Sequence, residues 1–219
     1  MKVPVPPTTV QRLPLYLRCL DDLPSGQGRI SSGELAVLAG LNSAMVRKDL
    51  SYLGSYGVRG VGYDVEHLRV QMRQELGLDQ VWRVVIVGAG NLGSALANYG
   101  GLGVRGFEFV GLFDDDPVKV GTDVGSLVVE PAAALGSAVS ERNASIGIIT
   151  VPAESAQDVA EALAAAGVRS ILNFAPTVVK VPESVHVRRV DLSTELQVLS
   201  FYLSRLGAAE GHSSPSSAS

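Results

Sequence analysis

One cysteine, Cys19, stands among 219 residues, so no intrachain disulfide can form. A packed core must hold the fold, and a reducing compartment suits it. Cys19 falls in an apolar helical pattern and reads as packing; as a redox thiol it would have no partner cysteine. No apolar run approaches the roughly 18 residues that a membrane span needs. The start, Met1-Lys2-Val3-Pro4, lacks the apolar stretch of a signal peptide. Together these features predict a cytoplasmic protein. Hydrophobic content of 46% and charged content of 18% are ordinary for globular chains, and the length is enough for two small domains.

Positive charge is also scarce. The net charge is −4, with +1 over residues 1–80 (9 Lys and Arg, 8 Asp and Glu) and −5 over the remainder. A nucleic-acid binder built this way must cluster its cations locally and gain from dimer doubling.

In the first 80 residues, Val10, Leu13, Leu17 and Leu20 follow helical spacing within Thr9–Leu20, with Pro14 forcing a late start or a kink. Asp21 to Gly28 reads as a loop. Ser31-Ser-Gly-Glu34 is a capping box that opens a helix ended by Gly40. The next helix places Val46, Leu50 and Leu53 on one face and Ala44, Arg47, Lys48 and Ser51 on another. Two short helices joined at a glycine turn, the second with a basic outer face, predict a helix-turn-helix. Tyr56 to Tyr63 carries three glycines among β-branched and aromatic residues, predicting a hairpin with Arg59 near its tip. Helix-turn-helix plus basic hairpin is a winged helix. An amphipathic helix over Glu66–Leu76 precedes a boundary at Gly77-Leu-Asp79.

From Val81 the pattern alternates. Strands are expected at 83–87, 107–113, 146–151, 170–173 and 186–190, with a short one near 127–129. Helices are expected at 92–101, 131–139, 154–166 and 194–206. The expected class is therefore α/β, a Rossmann doubly wound parallel sheet following a winged-helix domain. The domain limits read as 1–79, 80–192, a terminal helix at 193–207 and a disordered Ser-rich tail at 208–219.

Gly88-Ala89-Gly90-Asn91-Leu92-Gly93 follows the apolar run Val84–Val87, and Asp114 ends a second apolar run 21 residues after Gly93. This is the layout of a dinucleotide site. Gly88 permits the tight turn, Gly90 the close approach of a pyrophosphate, and Gly93 the packing of helix on sheet; the helix start offers free N–H groups to phosphate. Asp114 would accept bonds from the adenine ribose hydroxyls and repel a 2′-phosphate, favouring NAD(H) over NADP(H). Asp116 and Lys119, in the loop beyond, belong to the same expected site. Strand ends at Thr150, Val151 and Pro152, and at Asn173, Phe174 and Ala175, should line the cleft.

Ser193–Leu206 has apolar residues at 196, 198, 199, 201, 202, 203 and 206, more than one face. Such a helix must be buried on several sides, and insertion between two subunits would achieve that.

Val46 to Gly54, Gly57 to Tyr63, Gly88 to Gly93 and Leu172 to Pro176 together closely resemble the Rex family of redox-sensing transcriptional repressors, over about residues 8 to 206. The resemblance implies a homodimer with an exchanged C-terminal helix that senses the NADH/NAD+ balance: NAD+ permits operator binding and NADH releases it. In that setting Arg47 and Lys48 would enter the major groove, with Ala44 on the same face, Ser43 and Ser51 near phosphates, and Arg59 with Gly60 on the wing at the minor groove. The resemblance also points to a switch of Arg18, Tyr99 and Asp191. No catalytic residue is expected, and so no enzyme.

Two rival readings stand beside this one. An NAD-dependent oxidoreductase would need a base near the nicotinamide, and the only histidines are His67, His186 and His212. No chain remains after residue 206 for a substrate lobe. A Rossmann module regulating ion transport would use the N-terminal motifs for protein contact instead of DNA.

Overall fold

A computed structural model of the chain describes residues 4–54, 57–58 and 61–210. They form two compact units that divide between Val81 and Trp82.

The first unit opens with α1 (Pro7–Val10) and α2 (Leu13–Asp21). Of the two outcomes expected at Pro14, the late start is found: a short α1 ends at Val10 and α2 begins at Leu13. Pro14 lies in the first turn of α2, where its missing N–H is not needed. A two-residue strand β1 (Arg29–Ile30), not anticipated from sequence, precedes α3 (Ser32–Ala39). The capping box forms: Glu34 N–H donates to Ser31 Oγ at 3.1 Å, and Ser31 N–H donates to Glu34 Oε2 at 2.7 Å. Gly40, at φ +64°, turns the chain into α4 (Ser43–Tyr52), whose cap Asn42 accepts from Met45 N–H. The wing closes through a bridge between Val58 and Gly62 and through β2 (Tyr63–Asp64), which pairs antiparallel with β1. Gly62 is required there, since its φ is +81° and a Cβ would stand 2.5 Å from the Ile30 carbonyl oxygen. Helix α5 (Val65–Glu75) completes the unit. Leu13, Tyr16, Leu20, Leu35, Val46, Leu50, Leu68 and Met72 form its core. Burying each such leucine contributes about 1.5–3 kcal/mol. Arg69 of α5 donates to the Leu20 carbonyl and pairs with Asp21, fixing α5 on α2.

The second unit runs β3 (Trp82–Val87), α6 (Asn91–Ala97), a 3-10 segment at Gly100–Arg105, β4 (Phe107–Asp114), β5 (Asp123–Val124), β6 (Leu127–Pro131), α7 (Leu135–Glu141), β7 (Ile146–Ile149), α8 (Ala156–Ala165), β8 (Ser170–Asn173), β9 (His186–Arg189) and α9 (Leu192–Glu210). The sheet order is β5-β6-β4-β3-β7-β8-β9, parallel throughout except for β5 on β6. Val85, Val87, Phe113 and Ile149 pack with residues of α7 and α8 on one face. Val84, Ile86, Leu112 and Ile148 pack with Leu96 and Ala97 on the other. Burial on both faces explains why the strands read as continuous apolar runs.

Several boundaries differ from expectation. Helix α6 stops at Ala97 instead of 101, and the chain continues as a 3-10 segment from Gly100. The helix expected at 131–139 is a 3-10 turn at Ala132–Ala134 followed by α7, because Pro131 still belongs to β6. Strand β7 ends at Ile149, leaving Thr150 to turn inward. Helix α9 extends through Glu210, so Ala208 to Glu210 are helical instead of disordered. Its described side chains are exposed within this unit, Leu196 at 66% and Leu203 at 68%. Among the described residues, no helix is long and apolar enough to cross a membrane.

Candidate functional site

Strand β3 lies between β4 and β7: the chain passes from β3 to β4 and β6 on one side, then returns across β3 to reach β7 and β8 on the other. The crevice outside such a strand is where doubly wound sheets take ligands. Gly88 adopts φ +107°, and a Cβ on it would lie 2.7 Å from the Thr150 carbonyl oxygen. Thr150 Oγ1 lies 2.7 Å from the Gly88 carbonyl oxygen and 3.0 Å from that of Val87, clamping the loop from the β7 side. A Cβ on Gly93 would stand 1.9 Å from the Gly88 oxygen, whereas one on Gly90 meets nothing within 4 Å. The loop is therefore packed at both ends and open at its middle glycine. Asn91 and Leu92 are exposed at the start of α6, while Ala89 is buried.

Asp114 is buried, and its carboxylate is already engaged. Oδ2 accepts from Ala89 N–H at 2.7 Å and from Lys119 Nζ at 3.0 Å, and Oδ1 accepts from Asp116 N–H at 2.9 Å. Burial alone would raise this carboxyl, but the bonds from Asp116, Lys119 and Ala89 outweigh it and hold it below the ordinary carboxylate range. Its partner Lys119 is held above the usual lysine value, chiefly by the bond to Asp114. Asp114 thus braces the glycine loop against the loop after β4. A carboxylate accepts about four bonds, so one acceptor position remains for a ribose hydroxyl. Asp116 is half-buried, accepts from Val118 N–H and lies 3.8 Å from Lys119.

The second strand end behaves differently. Asn173 is buried with both side-chain ends used inside its own turn: Oδ1 accepts from Ala175 N–H and Nδ2 donates to the Thr177 carbonyl, each at 2.9 Å. Its side chain shapes the loop that carries half-buried Phe174 and buried Ala175. Half-buried Val151 and exposed Pro152 follow Thr150 at the end of β7.

In the first unit, α4 buries Val46, Leu50 and Leu53 and exposes Ala44, Arg47, Lys48 and Ser51, with Ser43 half-buried at its start. A cleft of about 600 Å³ lies between the wing and the two helices, lined by Arg29, Ser31, Ser32, Arg47 and Tyr63. Arg59 and Gly60, expected on the wing, lie outside the described residues. Sequence reasoning missed Asp49. This carboxylate is 1% exposed on the inner side of α4. It accepts from Thr9, Arg12 and Tyr16. The available signal was its position three residues after Val46 and four before Leu53, which puts it on the core face.

Of the three expected switch residues, Arg18 is exposed and lies 4.0 Å from Asp22. Tyr99 is exposed just beyond α6. Asp191 caps the start of α9, accepting from Ser193 N–H and Oγ, with Arg189 at 3.4 Å. The Ser193 hydroxyl bond holds the Asp191 carboxyl below the ordinary range. His67 and His186 are exposed, on α5 and β9.

Known proteins match both units. A family described as a CoA binding domain matches residues 79–177, and one described as a putative DNA-binding protein N-terminus matches residues 4–51. The redox-sensing transcriptional repressor Rex of Streptomyces griseus is 55% identical over 96% of this chain and 85% of its own length. That of Streptomyces coelicolor is 56% identical over 94% and 80%. The chain belongs to the Rex family of redox-sensing transcriptional repressors. Both relatives are named as transcriptional repressors, the class that the sequence led us to expect, and not as enzymes. Among solved structures, the Rex-family repressor RSP in complex with beta-NAD+ and operator DNA superposes with a TM-score of 0.86 at 34% identity, covering 97% of this chain and all of that one. RSP in complex with beta-NADH gives a TM-score of 0.84 at the same identity, covering 96% and 99%.

Proposed function

We propose that this chain binds operator DNA as a homodimer in the cytoplasm and leaves it when NADH replaces NAD+. The observation that carries the reading is the presence, in one chain, of an open glycine loop at the switch point of the sheet and an exposed basic face on α4. It is supported by RSP, a structural relative matched over all of its chain and crystallised in complex with beta-NAD+ and operator DNA. The adenosine diphosphate portion would lie over Gly88 to Gly93 with its ribose toward Asp114 and Asp116, and the nicotinamide would run past Thr150–Pro152 and Asn173–Ala175. Three carboxylates, Asp114 to Asp116, against Lys119 disfavour a 2′-phosphate. CoA, suggested by one matching family, shares the adenosine diphosphate that this loop would hold.

On the DNA, Arg47 and Lys48 read base edges, Ala44 lies against them, and Ser43 and Ser51 approach phosphates, with Arg59 and Gly60 on the wing. Helix α9, apolar on several sides and exposed within its own unit, exchanges with the partner chain. NAD+ carries a cationic ring and NADH a neutral one, so the protein must bind them differently in its two conformations. Arg18, Tyr99 and Asp191 form the switch that does so.

The test is reciprocity. Calorimetry should find NADH affinity reduced by operator DNA by the same factor by which NADH reduces operator affinity. NADH binding that is indifferent to DNA refutes the proposal.

A further inference from the structure

Asp49 sits in α4 beside the residues that face DNA, yet it points the other way. Its Oδ2 accepts from Arg12 Nε at 2.7 Å and Tyr16 Oη at 2.7 Å; its Oδ1 accepts from Arg12 Nη2 at 2.8 Å and Thr9 Oγ1 at 2.8 Å. Each oxygen therefore takes two bonds, which saturates the carboxylate. The donors come from α1, from the residue before α2 and from α2 itself. A paired fork of this kind fixes orientation as well as distance.

Stability alone does not call for it. Well-packed apolar residues in place of a buried ion pair are often as stable or more so. What the cluster adds is a fixed rotation of α4 about its axis. Core contacts through Val46 and Leu50 tolerate small rotations; four directed bonds do not. Side-chain tips lie about 5–6 Å from a helix axis. A rotation of about 20° moves them about 2 Å, enough to break a two-point contact with a base edge. Pairing with Arg12 also neutralises the negative charge that Asp49 would otherwise bring to this helix.

We propose that Asp49 is a positioning residue for operator recognition: held by Thr9, Arg12 and Tyr16, it sets the rotation of α4 and thereby where Arg47 and Lys48 meet the base pairs. It governs discrimination between DNA sequences, not affinity for DNA in general. The inference rests on the reading of α4 as the DNA-reading helix.

The test uses the full chain and two duplexes: one selected by the wild-type protein from a random pool, and a scrambled version. Fluorescence anisotropy at one salt concentration gives both affinities, and circular dichroism checks folding. In Asp49→Asn the ratio of selected to scrambled affinity should fall about tenfold, on the scale of one lost two-point base contact. Affinity for the scrambled duplex should hold or rise, since Arg12 becomes an unpaired cation. A purely structural role would reduce the active fraction and lower both affinities alike, leaving the ratio unchanged. The double variant Arg12→Met/Asp49→Leu, apolar at both positions, should fold and still show the reduced ratio. Tyr16→Phe, which removes one bond and keeps the ion pair, should show a smaller drop. An unchanged ratio in the folded variants overturns the proposal. Failure of the wild type to select any duplex overturns the reading of α4 and this inference with it.

Discussion

Replacing Gly90 and Gly93 by alanine, one at a time, separates ligand approach from backbone packing. A Cβ on Gly93 would lie 1.9 Å from the Gly88 carbonyl oxygen and 2.8 Å from Thr150 Oγ1. An ordinary carbon–oxygen contact is about 3.3–3.6 Å. Helix α6 must therefore shift by about 1.5 Å from the turn that β3 feeds. Overpacking of that severity costs about 3 kcal/mol, a fall in Tm on the order of 10 °C. Cofactor binding should be lost with it. Gly90 is different: its φ is −81°, and an added Cβ meets nothing within 4 Å. Gly90→Ala should keep wild-type stability to within about 0.5 kcal/mol. If the pyrophosphate crosses this residue, the new methyl meets it, and a penalty of about 1–3 kcal/mol weakens NADH about 5- to 150-fold. Thermal unfolding and NADH fluorescence titration read the two quantities. A Gly90→Ala protein that binds NADH like the wild type refutes the placement of the cofactor. One that unfolds like Gly93→Ala refutes the packing argument.

Other consequences are equally open to measurement. Arg47→Ala should relax base preference at its contacted position by about 1–3 kcal/mol, whereas Arg59→Ala should weaken binding to all A·T-rich duplexes; operator affinities equal to wild type would contradict both assignments. The bonds from Arg12, Tyr16 and Thr9 outweigh burial and lower the Asp49 carboxyl in the folded state. Its stabilisation is therefore full above about pH 4, the unfolded value, and is lost as pH falls through the lower folded value. Tyr16 is raised, first by burial and then by Asp49. Its contribution is full below about pH 10 and is lost as pH rises toward the folded value, so Tyr16→Phe should remove an alkaline loss of stability seen by urea titration. Truncation after Asp191, which deletes α9, should convert a dimer to a monomer by light scattering; a truncated chain that remains dimeric would exclude the exchanged helix.

Local chemistry was legible in the sequence where a few adjacent residues suffice. Ser31 and Glu34 announced the start of α3, and the packing roles of Gly88 and Gly93 follow from spacing alone. The buried parallel strands announced themselves as apolar runs. Long-range pairing was not legible. Asp49 meets partners 33 to 40 residues away, and periodicity carries no information about such contacts. The two-residue β1 is too short to leave a pattern and exists because β2 pairs with it. The end of α6 at Ala97 was missed because Asn98 closes the helix, ahead of the glycines at 100 and 101 that read as its stop. The role of Asp114 was half legible: its place at the end of β4 was evident, but its use as a brace for Ala89 depends on how the two loops meet.

The redox state of one bound cofactor is proposed to decide whether DNA is held. The most direct measurement is operator binding by the purified protein, on a two-fold symmetric, A·T-centred duplex, titrated with NADH at fixed excess NAD+. Release should track the NADH/NAD+ ratio. DNA binding indifferent to that ratio would contradict it.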